Sequence, residues 1–336
     1  MKKILALVMA LTMIFALTAV SASADDAIVL KIGVSTADTD PRNIAANDFA
    51  KEIEEKTNGA VKAEVYPSGQ LGGDGQLVES LAVNDGTVDI VITDASNFGT
   101  IVPDMNISGL PFLFADFDAA FAFMDGEIEA AAEAELLELT DVHVLTHYSN
   151  GFRCVTNSKG PVETPADMKG MLIRTPENQV IMATMSALGA NPQPLAFSEL
   201  YQALQQKTYD AQENPIPVIY NNKLYEVQEY LSVTNHIYSG MCFAIAESTW
   251  NKLTAEQQEI VAAAALASGD YDREMNRQQT EDLVANLEEA GMKINYPELA
   301  PFSAATQSVI EENALGISEE LLGALTADAA AEEAAA

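Results

Sequence analysis

The sequence predicts an α/β protein of two lobes, and two observations carry that prediction. Between Ile28 and Ile92 the pattern reads strand, helix, strand, helix, strand, which implies a mostly parallel sheet flanked by helices. About 310 residues follow the N-terminal leader, more than one compact core holds, so the chain is expected to divide.

The leader comes first. Lys2 and Lys3 precede an apolar run from Ile4 to Val20, and Ala22-Ser23-Ala24 follows before Asp25-Asp26. This is the basic, apolar and small-residue order of a secretory signal, expected to be cut after Ala24. The alternative, a membrane anchor, is disfavoured because the run falls short of the roughly 20 apolar residues a span needs. There is no Cys at the cleavage site, so a lipid anchor is not expected, and no later stretch is long and apolar enough to span. A soluble, periplasmic product is predicted.

Ile28, Leu30, Ile32 and Val34 alternate as a half-buried strand requires. Thr39-Asp40-Pro41 opens a helix with Ile44, Ala45, Phe49 and Ile53 on one face, stopped by Asn58-Gly59. Val61, Ala63 and Val65 form a second strand, a helix covers about Asp74 to Asn84, and Val88 to Ile92 is a third strand. A second lobe begins near Asn150 with strand-like Phe152 to Thr156, the capped turn Thr164-Pro165-Ala166-Asp167 and a strand carrying Arg174. Helices are predicted over about Asn178–Leu188, Ser198–Gln206 and Pro217–Val227, with Tyr209 to Pro215 crossing back between the last two. Thr254-Ala255-Glu256-Gln257 is a capping box opening a long helical run to about Ala290, interrupted at Gly269. Residues 327–336 contain only Ala, Asp and Glu and are expected to be a frayed helical or disordered end, taken as a disordered tail.

Without Lys2 and Lys3, 15 of the 17 basic residues remain against 50 acidic ones, a net charge of −35. Such a surface repels nucleic acid and anionic membranes, so neither is an expected partner. An anion site would need local cations, and the chain has only five arginines. Arg153 and Arg174 both sit in apolar, strand-like runs, Gly151-Phe152-Arg153-Cys154-Val155 and Leu172-Ile173-Arg174. A guanidinium set among apolar side chains needs an anion or carbonyls to face. Each Arg could pair with a local carboxylate; two together argue for a bound anion.

Cys154 and Cys242 both lie in strand-like runs and could form one disulfide or remain small buried residues. No metal and no cofactor is expected, because Cys-x-x-Cys is absent and His143, His147 and His236 have no ligand partners at useful spacing. The glycines from Gly69 to Gly75 fit neither the dinucleotide fingerprint nor a phosphate loop.

Gly151-Phe152-Arg153, Asp167-Met168-Lys169-Gly170, Ile173-Arg174-Thr175-Pro176, Leu188-Gly189-Ala190, Ala196-Phe197-Ser198-Glu199, Gln212-Glu213-Asn214-Pro215 and Tyr225-Glu226-Val227 occur in a telling order. With Gln70-Leu71-Gly72, this order and spacing resembles the substrate-binding subunits of tripartite ATP-independent periplasmic (TRAP) transporters, DctP type, over nearly the whole exported chain. One departure is Asp210-Ala211, where that family has Asp-Gly. The resemblance implies a two-lobed solute-binding fold with hinge strands and a long lobe-spanning helix. Residues 25–150 and 240–279 would form the first lobe, and 151–239 and 280–326 the second. It implies that Arg174 is the main carboxylate clamp, Arg153 a second cation, Asn214 a supporting amide and Phe197 an aromatic packed on the ligand. Ser35 and Asp94, at strand ends of the first lobe, would contact the distal part of the solute. Partners would be a small organic acid and membrane permease subunits.

An ionised Asp94 facing the ligand accepts from hydroxyls and repels a second anionic group, so it suits a sugar acid such as a uronate better than a dicarboxylate. A dicarboxylate or other organic acid is the alternative solute. A secreted hydrolase is the alternative class, but Gly-x-Ser-x-Gly and His-Glu-x-x-His are both absent. A subunit feeding a sensory receptor would share the fold.

Overall fold

The computed structural model describes residues 27–335, with side chains to residue 327. The predicted signal, residues 1–24, lies outside the described residues. In chain order the elements are β1 (Ile28–Gly33), α1 (Pro41–Lys56), β2 (Val61–Tyr66), α2 (Asp74–Val83), β3 (Ile90–Asp94), α3 (Phe117–Met124), α4 (Glu127–Thr140) and β4 (Val142–Asn157). These are followed by β5 (Leu172–Thr175), α5 (Gln179–Ala187), β6 (Asn191–Pro194), α6 (Phe197–Gln205), β7 (Ala211–Pro215), α7 (Ile216–Asn221) and β8 (Tyr230–Ser232). The chain ends with β9 (Tyr238–Ala246), α8 (Glu247–Trp250), α9 (Ala255–Glu289), β10 (Lys293–Asn295), α10 (Ala300–Glu311) and α11 (Glu319–Ala335). Short 3-10 turns occupy Ala95–Thr100, Pro103–Gly109, Pro165–Met168 and Leu224–Glu226.

The opening strands and helices fall where the apolar periodicity places them. Ala45, Phe49 and Ile53 of α1 are fully buried, while Ile44 is only half-buried. Phe49 meets Phe243 edge-on, centroids 5.0 Å apart, a contact that adds to the roughly 1.5–3 kcal/mol of burying the ring. The Asp40 carboxylate caps α1 by accepting the Arg42 N–H at 3.1 Å.

Strand order is β2-β1-β3-β9-β4-β7-β5-β6, with β8 paired to β4 and β10 to β8. A parallel sheet is found within each half: β1 pairs parallel with β2 and β3, and β5 pairs parallel with β6 and β7. The joining strands depart from that expectation. Strand β9 is antiparallel to β3 and β4, and β4 is antiparallel to β7. The 16-residue β4 thus belongs to both halves, pairing β9 along Val142–Phe152 and β7 along Arg153–Asn157. Its register slips between Ser149 and Gly151, where Gly151 takes φ +97° and a Cβ would stand 2.8 Å from Asn276 Oδ1. The two sheet halves with their helices make the two lobes.

Helix α9, about 52 Å long at 1.5 Å per residue, ties the halves together. The Thr254 and Gln257 capping box opens it as predicted: Thr254 Oγ1 accepts the Gln257 N–H at 3.3 Å, and Gln257 Oε1 accepts the Thr254 N–H at 2.9 Å. Gly269 does not interrupt the helix. A Cβ there would meet Thr146 Oγ1 at 2.7 Å and the His147 carbonyl oxygen at 2.8 Å, so the glycine allows the helix to lie directly on β4. One turn on, Asp272 Oδ2 accepts the Ser149 N–H at 2.7 Å, and Asn276 Nδ2 donates to the Asn150 carbonyl at 3.1 Å.

Burial, with Asp40 nearby, pushes the Asp272 carboxyl up to about 8 against the Ser149 N–H, Arg42 and Arg273. An unfolded aspartate titrates near 3.9, so between about pH 4 and about pH 8 the folded chain keeps a proton that the unfolded chain has lost. The resulting stability is complete below that window and is lost as pH rises through it. Asp272→Asn removes this slope while an amide oxygen can still accept from Ser149. Melts at about pH 5 and about pH 8 are expected to show a smaller fall in Tm for the variant than for the parent protein; equal falls would place the titration elsewhere.

Other readings are corrected. The helix predicted over Pro217–Val227 stops at Asn221, because Lys223 takes a left-handed conformation (φ 55°) before a short 3-10 turn. Cys154 and Cys242 are both free and buried, so the disulfide alternative is not adopted. Ala211 occupies an ordinary position at the start of β7, where the strand needs no glycine. Helix α11 continues into the Ala/Asp/Glu tail as far as Ala335. No helix of the described residues is long and apolar enough to cross a membrane.

Candidate functional site

A cleft runs along the carboxyl ends of β1, β3, β5 and β7. Its inner end is lined by residues from both halves of the sheet, among them Ser35, Asp94, Asn150, Arg153, Arg174, Asn178, Phe197, Asn214 and Ser239. All six residues named from the sequence therefore meet at one place. This inner end is narrow, about 40 Å³, and opens into a wider groove of about 920 Å³. Ser35, Asp74, Asn97, Arg174, Pro176 and Phe197 line both.

Arg174 stands on β5, buried to 2% exposure. Its Nε and Nη2 both donate to the Leu195 carbonyl, at 2.9 and 2.6 Å, and its guanidinium carbon sits 5.7 Å from the Phe197 ring centroid. These contacts fix the plane and leave Nη1 with no protein partner among the described residues. Arg42, Arg153, Arg273 and Arg277 each pair with a carboxylate, whereas Arg174 has none among the described residues. Burial without such a partner pulls its pKa down to about 10, and neighbouring Arg153 adds to the effect against Glu213.

Arg153, on β4, is held differently. Its Nε donates to Glu213 Oε2 at 2.5 Å, and its Nη2 donates to Glu213 Oε1 at 2.8 Å, the Glu213 carbonyl at 2.9 Å and Asn214 Oδ1 at 3.3 Å. His236 completes the group: its Nε2 lies 3.3 Å from Glu213 Oε2 and its Nδ1 2.9 Å from Thr234 Oγ1. Burial holds His236 below its usual pKa, so the ring is neutral at pH 7. A carboxylate only accepts, hence Nε2–H donates to Glu213 and Nδ1 accepts from the Thr234 hydroxyl. Burial opposes the charge on Glu213, but Arg153 and His236 outweigh it and hold the carboxyl below its ordinary pKa. The pairing alternative weighed for both arginines therefore holds for Arg153 and not for Arg174.

Asn214 is oriented from both sides, accepting from Arg153 and donating through Nδ2 to Gln212 Oε1 at 2.5 Å. Gln212 Nε2 in turn donates to Thr156 Oγ1 at 2.8 Å. On the facing wall, Asp94 closes β3 and caps the following turn. Its Oδ1 accepts from Ser96 N–H at 3.0 Å and Ser96 Oγ at 2.5 Å, and its Oδ2 accepts from Ser239 Oγ. Asp74 brings a second carboxylate to that wall. Ser35 lies just beyond β1 and is nearly buried.

Asn178, Asn150 and Arg42 are among the lining residues that were not named as site residues from the sequence. Asn178 caps α5 and donates across the cleft to Ser96 Oγ at 2.7 Å and Asn97 Oδ1 at 3.0 Å. Asn150 donates to Ser239 Oγ at 3.2 Å, and its buried Oδ1 has no partner among the described residues. Arg42 lines the floor but is neutralised by Asp40, with contacts of 2.8 and 3.1 Å. For Asn178 a signal existed, since an Asn two residues after a Pro and before an apolar helical run is a helix cap. An isolated asparagine in the middle of β4 carries none.

Two α/β lobes that share crossing strands, with a bare buried guanidinium at one side of their cleft and carboxylates at the other, define a solute-binding protein. The chain belongs to the bacterial extracellular solute-binding proteins, family 7 (DctP), which it matches over residues 32–315. It is of the TRAP type. It is 36% identical over 278 residues to the 2,3-diketo-L-gulonate-binding periplasmic protein YiaO of Escherichia coli (strain K12), 83% of this chain and 84% of that protein. Against the C4-dicarboxylate-binding protein DctB of Bacillus subtilis (strain 168) the identity is 32% over 265 residues, 78% of this chain and 75% of that one. A TRAP periplasmic solute-binding protein from Polaromonas sp. JS666, solved bound to D-erythronate, matches with a TM-score of 0.84 and 33% identity, over 89% of this chain and 98% of that one.

Proposed function

We propose that this protein captures a hydroxylated monocarboxylate of the sugar-acid class in the cleft and delivers it to TRAP membrane subunits, after export and cleavage behind Ala24. The carrying observation is Arg174: a buried, planar cation with no carboxylate partner among the described residues, whose charge a solute carboxylate would balance by charge-assisted hydrogen bonding. Arg153 and Asn214 stand beside it as further donors. Asn150 Oδ1, without a partner among the described residues, and the carboxylates of Asp74 and Asp94 offer acceptors for hydroxyls, and the two carboxylates repel a second anionic group.

This facing pair of carboxylates favours a sugar acid over a C4-dicarboxylate, the solute named for DctB. The solutes named for YiaO and for the Polaromonas protein are sugar acids, which agrees. The bridge from Asn178 to Ser96 and Asn97 across the cleft supports closure on the ligand, each lobe holding part of it. Residues 25–150 with 240–279 and 151–239 with 280–326 are the units proposed to move. The closed form would be what the membrane subunits recognise, and no bond is made or broken.

A thermal-shift screen of the exported protein tests this, because a ligand selective for the folded state raises Tm by mass action. Aldonates and uronates are expected to stabilise and succinate is not. Stabilisation by succinate alone would overturn the sugar-acid reading, and no shift with any organic acid would overturn the binding role.

A further inference from the structure

We propose that Glu129, Glu133, His147 and Cys242 form a binding site for a divalent transition-metal ion, zinc being the best match, within the first lobe and outside the solute cleft. None of the four lines the cleft. Helix α4 carries Glu129 and Glu133 four residues apart, hence on one face. Strands β4 and β9 place His147 directly opposite Cys242. One ligand atom from each of the four side chains falls in a single cluster, all within 4.8 Å of one another. The spacing argument made from sequence does not reach this set, because Cys242 joins from β9, far along the chain from the consecutive elements α4 and β4 that carry the other three donors.

The donor chemistry is specific. A thiol, an imidazole and two carboxylates make a four-donor set of the kind that binds zinc tetrahedrally, and the sulfur disfavours magnesium and calcium. An unsatisfied group points the same way. Glu129 is fully buried, its Oε1 accepts only from Ser108 Oγ at 3.2 Å, and its Oε2 has no partner among the described residues. A buried carboxylate oxygen left bare is costly, and a cation would satisfy it. His147 Nε2 already lies 2.5 Å from Glu133 Oε1. On its other side Nδ1 stands 3.6 Å from Asp125, whose two oxygens are fixed by Arg273 at 2.7 and 2.8 Å. A carboxylate behind the distal nitrogen is the arrangement that orients a metal-bound histidine. The Glu133 side chain is 19% exposed, which gives an ion a way in from solvent.

The test uses the exported protein prepared without a metal-binding tag and stripped with a chelator. Titration with zinc against a chromophoric chelator is expected to show one equivalent bound, with a rise in Tm. Cobalt in its place is expected to give the near-ultraviolet charge-transfer band of a thiolate ligand. Cys242→Ser should abolish that band and weaken zinc by about tenfold or more. Glu133→Gln, at the solvent edge where folding is least at risk, should weaken zinc to a similar degree. Arg174→Ala should leave zinc binding unchanged while removing the response to sugar acids, so the two sites are read separately. Zinc binding unaltered in both Cys242→Ser and Glu133→Gln, no thiolate band with cobalt, or no stoichiometric zinc at all would each overturn the proposal.

Discussion

Arg174→Ala is expected to weaken binding of the carboxylate solute by on the order of a hundredfold or more, about 3 kcal/mol. The side chain is the one arginine without a carboxylate partner among the described residues, and the Leu195 carbonyl and Phe197 ring hold its fork in place. Arg174→Lys should fail nearly as badly, because an ammonium lacks the planar pair of donors and the stacking face. The same geometry predicts an opposite effect on the empty protein. Keeping a cation out of water without a counter-charge costs stability, as the depressed pKa of about 10 records. Arg174→Met, similar in length and apolar, should therefore raise the Tm measured without ligand while abolishing the ligand-induced shift. Calorimetric titration paired with thermal melts checks both arms. Retained affinity in Arg174→Met, or a lowered unliganded Tm, would show that the guanidinium serves the fold and not the solute.

Two residues of this site were legible because the chain is so acidic, while the roles of Asn214, Phe197, Asp94 and Ser35 came from the family resemblance. Five arginines in a sequence of net charge −33 make any guanidinium within an apolar strand conspicuous, and Arg153 and Arg174 both proved to line the cleft. Their different roles were not legible. Arg153 is neutralised by Glu213, 60 residues away, and only the antiparallel pairing of β4 with β7 brings them together. The fold divides in the same way. Strands β1 and β2 alternate in sequence and β3 is a short continuous apolar run, so their local pattern suffices. From Thr146 to Asn157 every residue of β4 is buried, including Ser149, Asn150 and Arg153, so alternation disappears. Those polar side chains and amides find partners in Asp272, Ser239 and Glu213, all distant in sequence. Helix α4 defeats pattern reading for a related reason, since one of its fully buried positions is Glu129.

Removing Glu213 should be the most damaging single change to the fold near the site. Glu213→Leu leaves the Arg153 guanidinium buried without its carboxylate and deprives His236 of its acceptor, an expected loss of roughly 3–5 kcal/mol. Arg153→Met strands the carboxylate instead and should cost a similar amount. Buried pairs gain little over well-packed apolar side chains, because desolvation offsets most of their attraction. The double variant, Arg153→Met with Glu213→Leu, is accordingly expected to be far more stable than the sum of the single losses, with a coupling on the order of 2–3 kcal/mol in urea melts. It should nonetheless bind solute poorly, because Arg153 no longer supports Asn214 and no longer offers its free Nη1 to the cleft. Stability restored without binding would assign the ion pair to positioning the site. Strictly additive losses would mean instead that Arg153 and Glu213 are held independently, and that the triad with His236 is not a unit.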